Sequence, residues 1–166
     1  TDKADQQHFI DIMASNITIK NNVFWGKWNI GDGEVSRAIR FYAGAFSGIL
    51  IEGNEFYGLR QPGYISGTHT GEVKNNYVHG TKGWVLEGGN LTFTGNTWAN
   101  NVGDIAILSA CPAAYYTDIV AMSATNNGAV IEDQRMSPAL LSVVYVDDSA
   151  AAGGNGTQAT PYQTIQ

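Results

Sequence analysis

The chain has 166 residues, of which 43% are hydrophobic and only 14% charged, with a formal net charge of -6. That apolar share suits one folded core rather than disorder, and the acidic balance excludes nucleic acid as a partner, because phosphate binding needs clustered Lys and Arg. No apolar run approaches the roughly 20 residues that span a bilayer, so no membrane insertion is expected.

The first predicted strand covers 9–13, and a repeat unit follows at 17–24, reading ITIKNNVF. Its alternation of apolar and polar residues turns one face inward, and the Asn21, Asn22 pair breaks the strand at a turn. A strand at 38–42 and a unit at 49–56, ILIEGNEF, repeat the arrangement. Next come 64–66 with 71–78, GEVKNNYV, and 84–86 with 91–98, LTFTGNTW. A strand at 105–108 precedes a weaker unit at 122–129, MSATNNGA, and a last strand is predicted at 129–131.

Aligned on one another, these units show two columns with a physical meaning. The column Asn21, Gly53, Asn75, Gly95, Asn126 holds only the two residue types that enter the left-handed backbone region at low cost, so a positive φ is expected at each. The next column, Asn22, Asn54, Asn76, Asn96, Asn127, is asparagine throughout. An inward carboxamide offers both donor and acceptor to the turns above and below, which predicts an internal asparagine ladder. Spacings of 32, 22, 20 and 31 residues between these asparagines bracket one coil of a solenoid. The expected fold is therefore all-β, a parallel β-helix of about five to six coils over 1–136, with two strands per coil.

Phrases such as GWVLEG at 83–88 and NLTFTGNTW at 90–98 resemble the pectate-lyase-like right-handed parallel β-helix superfamily, over about residues 9–132. The resemblance implies the right-handed coil and an extracellular, secreted or cell-surface bacterial setting. It leaves activity open, since lyases, hydrolases, epimerases, phage spikes and adhesins share the coil. The tail, with VYVDDS at 144–149 and TPYQTIQ at 160–166, is similar to the segment that opens and caps such a helix. Residues 137–166 are thus expected to be a linker and the cap-like start of a further β-helix module, or a C-terminal strand docking on the last coil. Without a Met or leader at Thr1, the chain reads as a segment of a longer protein.

Stacked coils set each outward residue above its counterpart about 4.8 Å away, a geometry that meets a polymer along its length. Three residues beyond each second asparagine stand Trp25, Tyr57, His79 and Ala99. With Trp28 in the loop at 26–37, these aromatics are the candidate carbohydrate-binding residues, since flat rings suit the apolar face of a pyranose. Lys20, Glu52 and Lys74 alternate in sign on another outward column and read as a solvated face. For lyase chemistry, which the resemblance implies, a Lys or Arg base is needed; Arg40 and Lys74 are the candidates among basic residues that also include Arg37, Arg60 and Lys82. Asp104 is the candidate acid for hydrolysis, with no paired-acid signature beside it.

His8, His69 and His79 have no metal-ligand spacing, so no metal centre is expected there. Asp147, Asp148 and Asn155 are the candidates for a calcium site, and no other cofactor is expected. Cys111, the single cysteine, forms no intrachain disulfide and reads as a small buried thiol. The loops at 26–37, with Asp32, and 110–117, with Tyr115 and Tyr116, are the expected places for specificity. The expected function is a polysaccharide-binding or surface-adhesion module without catalysis in this chain. The alternatives are a truncated polysaccharide lyase or glycoside hydrolase, and a structural stalk. Open coil ends predict self-association.

Overall fold

A computed structural model describes residues 8–28 and 37–135. The chain divides into two units, Thr1–Arg135 and Met136–Gln166, and every described residue lies in the first. Asp32 in the first loop and the tail residues Asp147, Asp148 and Asn155 fall outside the described residues.

Fourteen short strands and one helix build the described unit, and all strand pairings are parallel. Sheet A stacks β1 (His8–Ile12), β4 (Arg37–Phe41), β7 (Gln61–Ile65), β10 (Trp84–Leu86), β13 (Ile105–Ile107) and β14 (Ile131–Asp133) in that order. Sheet B stacks β2 (Thr18–Lys20), β5 (Ile49–Glu52), β8 (Thr70–Lys74) and β11 (Asn90–Thr94). Sheet C stacks β3 (Val23–Trp25), β6 (Glu55–Tyr57), β9 (Tyr77–His79) and β12 (Thr97–Ala99). The chain visits A, B and C in turn and then starts again, which makes a β-solenoid of about four turns.

Each turn therefore carries three strands, not the expected two. The third arises because alternation resumes after the asparagine corner, with one inward residue per strand: Phe24, Phe56 and Val78 are buried in the first three. Sheet B contributes Ile19, Ile51, Val73 and Phe93 in register, and sheet A contributes Ile39, Trp84 and Ile105 to the same core. Phe24 stacks on Phe56 at 5.0 Å, and Phe56 meets the edge of Trp84 at 5.8 Å. Gly63 is required beneath that indole, since a Cβ there would lie 2.2 Å from Trp84 Cζ3.

At the corner between sheets B and C, Asn21, Gly53, Asn75 and Gly95 have φ of 56°, 64°, 54° and 65°. The following side chain points inward. Asn22 Nδ2 donates to Asn54 Oδ1 at 3.1 Å, Asn54 Nδ2 to Asn76 Oδ1 at 3.0 Å, and Asn76 Nδ2 to Asn96 Oδ1 at 2.9 Å. Each acceptor also takes the backbone N–H of the preceding asparagine, at 2.9, 2.9 and 3.0 Å. The spare amide hydrogens of Asn54, Asn76 and Asn96 reach the carbonyls of Ile19, Ile51 and Val73 one coil back.

The last repeat departs from the expected pattern. Where a strand is expected over 122–129, the chain forms α1 (Ile119–Thr125), capped by Asp118, whose carboxylate accepts the Ala121 N–H at 2.8 Å. The helix packs on β11 and shifts the corner by one residue. Asn126, at φ -117°, takes the inward place and accepts from Asn96 Nδ2 at 2.7 Å. Asn127, expected there, sits at φ 54° and donates to the Asn96 carbonyl instead. Arg135 then ties the loop at 110–117 to β14: it pairs with Asp133 at 2.7 Å and donates to the carbonyls of Pro112, Tyr115 and Tyr116.

Candidate functional site

The strands of sheet C are three residues long with the middle side chain facing the core, so the first and third positions face out. Parallel register sets Trp25 beside Tyr57, Tyr57 beside His79, and His79 beside Ala99. The same register lines up Val23, Glu55, Tyr77 and Thr97 on the same face. Trp25 is 55% exposed and Tyr77 42%, which makes this an aromatic outer surface.

The rings do not all lie flat to solvent. Tyr57 and His79 stack at 5.1 Å with their planes 11° apart, and Tyr77 covers His79 at 4.6 Å. The imidazole is held by both tyrosines and by Glu55, whose Oε1 lies 3.0 Å from His79 Nε2. The open aromatic surface is thus the Trp25 indole and the exposed part of Tyr77. Trp28 is not part of this surface: it is 5% exposed and belongs to the buried residues, because the chain turns inward after Gly26, with the Trp28 N–H on the Gly58 carbonyl. Glu55 and Tyr77 were not singled out from the sequence, although the same three-residue alternation that marks Trp25 and Tyr57 marks them as well.

The candidate catalytic residues are not brought together. Arg40 lies on sheet A, where it makes a two-point ion pair with Asp11 at 2.9 and 2.8 Å and covers the Tyr42 ring. Lys74 lies on sheet B with its ammonium on Glu72 at 2.7 Å. That hydrogen bond raises its pKa, the opposite of what a base needs. Lys20 pairs with Glu52 at 2.8 Å in the same outward row, and the Lys20 hydrogen bond lowers the Glu52 pKa. Asp104, 8% exposed, spends one oxygen on Asn101 Nδ2 and the other on the Val130 N–H. Its position joins consecutive coils.

A second surface lies along sheet A, where Arg37, Arg60, Lys82 and Tyr64 line a groove of about 650 Å³ together with Glu132 and Gln134. The Arg37 guanidinium covers the Tyr64 ring at 4.4 Å and its Nε donates to Gln61 Oε1 at 2.6 Å. Burial, and after it a hydrogen bond to Glu87, pushes the Tyr64 phenol up to about 12. Tyr64 was unmarked in the sequence, since only the parallel register of β4 and β7 sets it against the arginines.

His69 is fully buried at the corner between sheets A and B, where Nδ1 accepts the Phe46 N–H at 3.2 Å and the rings of Phe41 and Phe46 enclose it. Burial lowers its pKa. Cys111 is buried too, and burial raises its thiol. Among the described residues no three His, Cys, Asp or Glu side chains gather around a metal-sized space, and no helix is long and apolar enough to cross a membrane. No family model matches this chain, and neither a curated protein nor a solved structure matches it.

Proposed function

We propose that this solenoid is an extracellular, secreted or cell-surface module that binds polysaccharide or mediates surface adhesion, with no catalysis in this chain. The observation that carries the reading is the register of sheet C, which puts Trp25, Tyr57 and His79 on successive strands of one outer face. Strand spacing of about 4.8 Å gives such a face a repeat along the coil axis, suited to an extended polymer. The separation of Arg40 on sheet A, Lys74 on sheet B and the buried Asp104, each engaged with its own partners, supports a binding role. The finer fold reading belongs with it: a right-handed, pectate-lyase-like coil whose inward asparagines act as one ladder. Five to six coils result when β13 and β14 are counted as the start of coils beyond the fourth.

Glycan-array binding with Trp25→Ala tests the proposal. Polysaccharide binding that falls about tenfold or more on loss of the indole supports it; binding unchanged by that substitution removes sheet C from the function.

A second reading, an enzyme on acidic polysaccharide, is favoured by the groove with Arg37, Arg60 and Lys82. It predicts unsaturated product, seen by ultraviolet absorbance, on incubation with acidic polysaccharides. A purely structural stalk predicts no glycan affinity.

A further inference from the structure

The outer face of sheet C carries a charge asymmetry. None of the outward positions of β3, β6, β9 and β12 is Lys or Arg, and Glu55 is the one carboxylate among them. Its side chain is 41% exposed. One oxygen faces His79, and the other has no partner among the described residues. Register places Val23 and Tyr77 on either side of Glu55, and Trp25 and Tyr57 in the next outward row.

A half-exposed carboxylate bordered by aromatic rings is suited to an ammonium group. The carboxylate supplies the ion pair, and the electron-rich face of the exposed Trp25 indole supplies cation–π attraction. A uronate on the same surface would meet Glu55 with like charge and no Lys or Arg among the outward strand positions to offset it. The chain's net charge of -6 works in the same direction over longer range.

We infer that the sheet C face selects an amine-bearing glycan, of which a glucosamine oligomer is the simplest case, with Glu55 receiving the ammonium and Trp25 the apolar face of a sugar ring. This rests on the reading of sheet C as a polysaccharide-binding surface and makes Glu55 its specificity-determining residue.

Titration calorimetry with hexamers of glucosamine, N-acetylglucosamine and galacturonic acid separates the two levels. The expected order has glucosamine tightest, with Glu55→Gln weakening glucosamine roughly tenfold and leaving N-acetylglucosamine unchanged. Moderate salt should reproduce the loss for glucosamine alone. Thermal melting of Glu55→Gln, an exposed and nearly isosteric change, checks that the variant is folded. Tighter binding of galacturonic acid, or equal weakening of all ligands by Glu55→Gln, overturns the amine preference while polysaccharide binding stands. Absence of binding to any of the three, together with silence on the glycan array, overturns both.

Discussion

Asn54, Asn76 and Asn96 are each at most 1% exposed, yet every donor of their carboxamides is satisfied by the neighbouring coils. Removing one side chain orphans two donors of the coil before it, and a buried polar group without a partner costs about 1–3 kcal/mol. Asn76→Ala should therefore lower unfolding stability by about 2–4 kcal/mol in urea titration. Asn22→Ala, at the exposed first position of the same row, should cost under about 1 kcal/mol. Equal losses at the two sites would show that burial is not what gives the row its strength. Beside this row, Gly95 has a second constraint: at φ 65° its Cα lies under the Asn75 carboxamide, where a Cβ would come within 2.3 Å of Oδ1. The sequence marked Gly95 as a left-handed position but gave no sign of that close approach, which exists only once coils are stacked.

Among the elements, α1 is where local signal and fold diverge most. MSAT at 122–125 alternates like a strand, but Ala121, Met122 and Ala124 are good helix formers, and Asp118 stands where an N-cap belongs. Contact with β11 adds the tertiary term. Asp118→Ala should lower stability by about 1 kcal/mol, read as a shift in urea midpoint at constant slope. No shift would mean that packing on β11 holds the helix without its cap. Sheet C was harder to read, because a strand of three residues holds one inward side chain and its alternation is too short to stand out as a strand. Its outward columns were legible only as a spacing of three from the asparagine, which found Trp25, Tyr57 and His79 and missed Glu55 and Tyr77.

For the molecule as a whole, acid should loosen the coils in two stages. Burial lowers the His69 pKa below its ordinary 6.5, so the unfolded chain takes up the proton first. The stability from a neutral His69 is full above about pH 6.5 and is lost as pH falls from there toward the lower folded value. Asp133, held below its usual 3.8 by the Arg135 hydrogen bond, contributes above that value and loses its share only at lower pH. Urea midpoints should accordingly begin to decline as pH falls through about 6.5 and decline again below about pH 4; a midpoint that stays level on acidification from about pH 6.5 down to about pH 4 would sink the role given to His69.

The sequence by itself determined the strand alternation, the left-handed turn positions at residues 21, 53, 75 and 95, and the inward asparagines that follow them. Each of these follows from a repeat set by residue type within a few positions. Tertiary structure alone decided that each turn has three strands, that Asn126 replaces Asn127, that Trp28 is buried, and that Tyr57 and Tyr77 close on His79. Those outcomes depend on which residues of different coils come into register, and contacts across 20 to 30 residues of chain leave no local pattern to read.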